Sequence, residues 1–138
     1  MKVNKILLGG IAGGVIFQLI GSLIFYVVLK DYVAANYNQS IGNPDYNTWG
    51  LENMFSNLFM GLLVSYIFSL AQTTRLVSGL ITGGIVGLLL NISIDLWLNA
   101  SVKMFNSFNV ALVDILINGA IFAIAGAVAA WAMSKIQD

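Results

Sequence analysis

Apolar residues fill four long uncharged runs, 6 to 29, 53 to 74, 76 to 94 and 115 to 134, separated by short polar stretches. Crossing a bilayer as a helix takes ~20 mainly apolar residues, and each run approaches or exceeds that length. The pattern predicts an all-α membrane protein, a single transmembrane domain spanning residues 1–138. Its four helices cover about 6–29, 54–72, 76–98 and 110–133, with an outer loop over 31–51, and form an antiparallel four-helix bundle. The turn Gln72-Thr73-Thr74-Arg75 is so short that it predicts antiparallel contact between the second and third spans.

Composition strengthens this reading. Hydrophobic residues make up 59% of the chain and charged residues 9%, against roughly 25% charged in soluble domains. Six basic and six acidic residues cancel, which leaves no field for nucleic acid. The chain has no Cys and no His. Thiolate nucleophiles, disulfides, imidazole proton transfer and zinc or haem held by those ligands are thereby excluded, so the expectation is a non-enzyme without metal or cofactor. The first run, 24 residues long, exceeds a signal h-region of about 7 to 15 residues and reads as a retained span. With both termini cytoplasmic, that side carries Lys2, Lys5, Arg75 and Lys135 and the other only Lys30 and Lys103, in accord with the positive-inside rule.

Small residues recur every four positions. Gly9, Gly10, Gly13, Gly14 and Gly21 lie in the first span, Gly61, Ser65 and Ser69 in the second, Gly79, Gly83 and Gly87 in the third, and Gly119, Ala123 and Ala127 in the fourth. Ladders of this kind let helix backbones approach in lipid, where packing replaces the hydrophobic effect. They serve either one bundle or contact with a second copy. An echo between Gly9-Gly10-Ile11-Ala12-Gly13 and Gly83-Gly84-Ile85-Val86-Gly87 adds the alternative of two parallel hairpin repeats.

Polar residues inside the spans are the candidate chemistry. Asn91 and Asp95 lie four apart near the end of the third span, and Asp114 and Asn118 four apart near the start of the fourth. This spacing puts each pair on one helix face and the two carboxylates at similar depth. Ionisable groups in a span usually face the bundle interior or a wet cavity. Two that meet there can hold a proton or a cation. Gln18 and Asn57 are expected to extend the cluster toward the bundle centre. The competing reading has both carboxylates at the headgroups, paired with Lys30 or Lys103, and the amides as interhelical glue. In the outer loop, Tyr32, Tyr37, Tyr46 and Trp49 read as an interfacial aromatic belt, and Gly42-Asn43-Pro44-Asp45 as a turn.

Leu7 to Gly14, Ala34 to Asn36, Asn57 to Leu63 and Ala111 to Asp114 resemble the matching segments of uncharacterised small bacterial four-span inner-membrane proteins. The resemblance implies the bacterial inner (cytoplasmic) membrane and carries no activity or site. Small multidrug transporters, by contrast, place a Glu in the first helix, where this chain has Gln18. The sequence thus favours a structural or interaction component partnered by the lipid bilayer and a second copy or another membrane protein. The alternative is a small channel or transporter for protons, cations or a small solute, using an outward-facing Asp/Asn cluster.

Overall fold

The computed structural model describes residues 3–42 and 46–136. Lys2 and the Asn43-Pro44-Asp45 part of the expected turn lie outside the described residues. The described chain is all-helical, with no strand among these residues and one isolated bridge between Tyr37 and Phe105. In chain order the helices are α1 (Val3–Leu23), α2 (Lys30–Asn36), α3 (Leu51–Leu70), α4 (Leu76–Val102) and α5 (Phe108–Met133). Four helices are long and apolar enough to cross a membrane: α1 with its extension to Val28, α3, α4 and α5.

The first span does not run as a single α-helix to residue 29. A π-helical turn occupies Ile24–Val28, closed by a 2.7 Å bond from Leu29 N–H to the Ile24 carbonyl, and α2 follows. Such turns change which side chains share a face and occur often at functional sites. Here Phe25 and Tyr26 line a cavity. α2 and the chain beyond it fold over the α4–α5 connection. Asn38 N–H donates to the Met104 carbonyl at 2.9 Å and Asn106 N–H to the Asn36 carbonyl at 2.9 Å. A small apolar cluster of Phe105, Val110 and Ala111, packed by Tyr32 and Tyr37, backs this junction.

Glycines set which helices meet. A Cβ on Gly61 would lie 2.3 Å from the Gly10 carbonyl and 2.4 Å from the Gly14 nitrogen, so α3 and α1 touch backbone to backbone. Between α4 and α5, Gly79 meets Ala130, Gly83 meets Gly126, and Gly87 meets Phe122. Gly9 packs on Met133 and Gly13 on Ala129, joining α1 to α5, and Gly119 takes Leu88. All of the expected glycines except Gly21 therefore contact another helix of the same chain; Gly21 has nothing within 4 Å of its Cβ position. The main core, with Phe17, Val64, Phe68, Phe122 and Met133, fills the bundle between these crossings.

One expectation is corrected. α3 and α4 meet only marginally despite their short connection; the extensive contacts are α1 with α3, α1 with α5, and α4 with α5. The physical reason lies in the small residues. The close-approach face of α3, Gly61 and Ser65, is turned to α1, and the glycines of α4 are turned to α5, leaving nothing to draw α3 against α4. Gln72, in the left-handed region at φ 55°, redirects the chain at the corner.

Candidate functional site

The α4–α5 register brings the two Asp/Asn pairs together. Gly79, Gly83 and Gly87 fall opposite Ala130, Gly126 and Phe122 in steps of four. The next two steps bring Asn91 level with Asn118 and Asp95 level with Asp114. Both carboxylates are buried, Asp95 at 5% exposure and Asp114 at 6%. Their side chains lie within hydrogen-bonding range of each other.

Asp114 is well supplied with donors. The Tyr37 hydroxyl donates to its Oδ1, and Asn118 Nδ2 donates to its Oδ2 at 2.7 Å and to its backbone carbonyl at 3.1 Å. Asp95 Oδ2, by contrast, is occluded and receives no hydrogen bond. Both carboxylates are thus enclosed by the protein, and neither pairs with Lys30 or Lys103. Burial pushes the Tyr37 phenol up, and its bond to Asp114 pushes the same way, with Tyr32 and Asp95 as further neighbours. Tyr37 therefore stays a neutral donor throughout the physiological range.

Gln18 and Asn57 do not join this cluster, which corrects the expectation from sequence. They form a second network with the outer loop. Gln18 Nε2 donates to the Thr48 carbonyl at 2.6 Å and to Ser22 Oγ at 3.2 Å. Its Oε1 accepts from Asn57 Nδ2 at 2.7 Å and Asn53 Nδ2 at 3.2 Å. Asn53 Nδ2 also donates to the Thr48 carbonyl at 2.7 Å, while its Oδ1 accepts from Tyr46. The separation is geometric: Gln18 faces α3 and the loop, while the carboxyl pair is held between α4 and α5.

Between the two networks lies a cavity of about 610 Å³. Asn53, Asn57, Ser22 and Thr48 line one flank, and Asn91, Asn118 and Tyr37 the other. Phe17, Ile121, Phe122 and Met60 border it on the side of the core, where the Phe17 and Phe122 rings meet edge to face at 4.5 Å. Tyr26 and Tyr46, stacked at 5.5 Å, and the exposed Lys30 belong to its loop side. Neither Asp95 nor Asp114 lines the cavity; Tyr37 and Asn118, which bond to Asp114, stand between.

Tyr37, Asn53 and Thr48 are site residues that sequence reasoning passed over. Two of the four belt aromatics, Tyr37 and Tyr46, have specific polar partners. A signal existed only for Asn53, which is four residues from Asn57; the Tyr37–Asp114 bond spans 77 positions of sequence. Among the described residues no cluster of three or more Asp or Glu side chains could hold a metal ion. No family model matches this chain, no curated protein matches it, and no solved structure matches it.

Proposed function

We propose that this chain is a multi-pass protein of the bacterial inner membrane, an antiparallel four-span bundle that binds a small polar solute from one face and moves it across. The carrying observation is the cavity: polar on both flanks, bordered by aromatic residues toward the core, with a buried carboxyl pair one side chain behind its wall. Pockets of 300–1,000 Å³ are the usual size for small-molecule sites. Glycine crossings that pair numbers rising along one helix with numbers falling along the next support the antiparallel arrangement. The hairpins α1–α3 and α4–α5, each tightened by glycine, support a two-hairpin organisation.

The distribution of Lys and Arg supports cytoplasmic termini, so the cavity opens outward. The resemblance to small bacterial four-span proteins is compatible with this membrane. The ladder glycines, the main support for an interaction component, are engaged within one chain apart from Gly21. That shifts the preference to transport, with the solute crossing unchanged and no cofactor required.

The Asp95–Asp114 pair is the coupling element in this reading. Asp114 takes hydrogen bonds from Tyr37 and Asn118, and a proton on Asp95 gives it a third donor while removing one of two adjacent buried charges. Infrared spectroscopy of the protein in lipid tests this. The expected result is a protonated-carboxyl band at neutral pH that disappears in Asp95→Asn and shifts in Tyr37→Phe. Absence of that band in the wild type would remove proton coupling.

A further inference from the structure

Helix contacts close the cavity on three sides. At its depth α1 is tied to α3 by the 2.7 Å bond from Asn57 Nδ2 to Gln18 Oε1, and α1 meets α5 through the Phe17 and Phe122 rings at 4.5 Å. The third side, α4 against α5, is closed by the carboxyl pair and by Leu88 on Gly119. The fourth side differs. Asn53, Asn57 and Met60 of α3 and Asn91 of α4 all line the cavity, yet these two helices meet only marginally, and their connection at Gln72 is remote from these wall positions. The glycines that draw helices together in lipid are turned elsewhere, Gly61 to α1 and Gly79, Gly83 and Gly87 to α5. Leu63, one turn from Met60, and Ile94, one turn from Asn91, are exposed beside this seam. In a bilayer the seam borders on hydrocarbon.

The wall both gives and takes hydrogen bonds. The amides of Asn53, Asn57, Asn91 and Asn118 carry both functions, and so do the hydroxyls of Ser22, Tyr26 and Thr48, which also line the cavity. Lys30, the one charged side chain of the lining, is exposed at the loop side, and both carboxyls lie behind the wall. A hydroxyl group, itself donor and acceptor, matches such a wall whatever charge the enclosed carboxyls carry.

We infer that the seam between α3 and α4 is a lateral portal, and that the cavity takes the uncharged, hydroxyl-bearing head of a single-chain amphiphile, a monoacylglycerol in type, from the bilayer. Its head meets the amides of Asn57 and Asn91, and its chain passes Met60 to lie against Leu63 and Ile94. The head keeps hydrogen-bonding partners and the chain stays in hydrocarbon, so neither part enters a medium that disfavours it. The inference rests on the reading of the cavity as a solute site, and it specifies that solute by its head and its route of entry.

Photolabelling of the full chain in phosphatidylcholine nanodiscs tests it, with the labelled residues mapped by mass spectrometry. One probe is a monoacylglycerol carrying a diazirine in its chain beside the ester; the other is a diazirine-bearing butanediol, which has the same head chemistry and dissolves in water. The expected result is saturable labelling of Met60, Leu63 and Ile94 by the monoacylglycerol, competed by 1-decanoylglycerol and not by decanoate. Ile85, exposed on α4 away from the seam, is expected to react without saturation. Asn91→Leu is expected to raise the half-saturating concentration at least tenfold; Asn91 bonds only to its own helix, so the interhelical network stays intact. The wild-type label positions decide the matter even where the variant does not fold. Saturable labelling of the cavity by the butanediol, with the monoacylglycerol nowhere saturating, overturns the inference and leaves a water-fed solute site standing. If neither probe saturates, both readings fall.

Discussion

Tyr37 shows how far a residue's role departs from its local sequence. Within the loop it is one aromatic among several; in the fold its hydroxyl donates to a buried carboxylate. Its ionisation lies above the usual tyrosine range because burial disfavours tyrosinate and Asp114 repels it. The sign follows directly. Stability from keeping this phenol neutral is fully present below the ordinary tyrosine range and is lost as pH rises through that range and beyond. In an alkaline titration followed by the ultraviolet tyrosinate band, Tyr37→Phe is therefore expected to leave the amplitude of the ordinary tyrosine transition unchanged. A loss of one residue's amplitude there would place Tyr37 in water. Gln18 illustrates the complementary case. Buried at 6% exposure, it ties two amides, a hydroxyl and a loop carbonyl. Gln18→Leu leaves Asn57 Nδ2 without its partner, while Asn53, the Thr48 carbonyl and Ser22 keep other bonds, and is expected to cost about 1–3 kcal/mol, read as a drop in detergent-unfolding midpoint.

At the scale of elements, the crossings are decided by the absence of side chains. Gly61→Ala drives a methyl into the backbone of Gly10 and Gly14, and Gly83→Ala drives one into the Phe122 carbonyl. Backbone cannot yield as a side-chain tip does, so each change is expected to destabilise by about 1–3 kcal/mol. Gly21→Ala is the control, since nothing lies within 4 Å of the added carbon. Equal thermal stability of all three in lipid would contradict the assigned crossings. These contacts also explain what the sequence discloses and what it withholds. Span number and approximate length are legible because hydrophobic runs of that length have few other uses. The mirrored spacing of Asn91 with Asp95 and Asp114 with Asn118 discloses the carboxyl pair, since both helices repeat every four residues. Partner choice is less legible. The short turn at Gln72 points α3 toward α4, yet close contact follows the glycine faces. The π-helical turn at Ile24–Val28 has no signature within a continuous apolar run, and it shapes the loop side of the cavity.

For the whole molecule, the polar and packed regions are segregated. Backbone-close glycine crossings and the apolar core lie together, while the amide network and the folded loop border a cavity beyond Phe17 and Phe122, with the carboxyl pair behind its wall. The two networks share a cavity but no hydrogen bond. Cysteine accessibility provides the most direct measurement of this account, and the natural chain contains no Cys to interfere. Single substitutions Gly21→Cys, Asn118→Cys and Ala125→Cys, made in sealed oriented vesicles, are treated with a membrane-impermeant thiosulfonate on either side. Gly21 and Asn118 line the cavity, whereas Ala125 is fully buried in the core. The account predicts labelling at the first two positions from the loop face alone and none at the third; an unreactive Asn118→Cys, or equal reaction of all three positions, would contradict it.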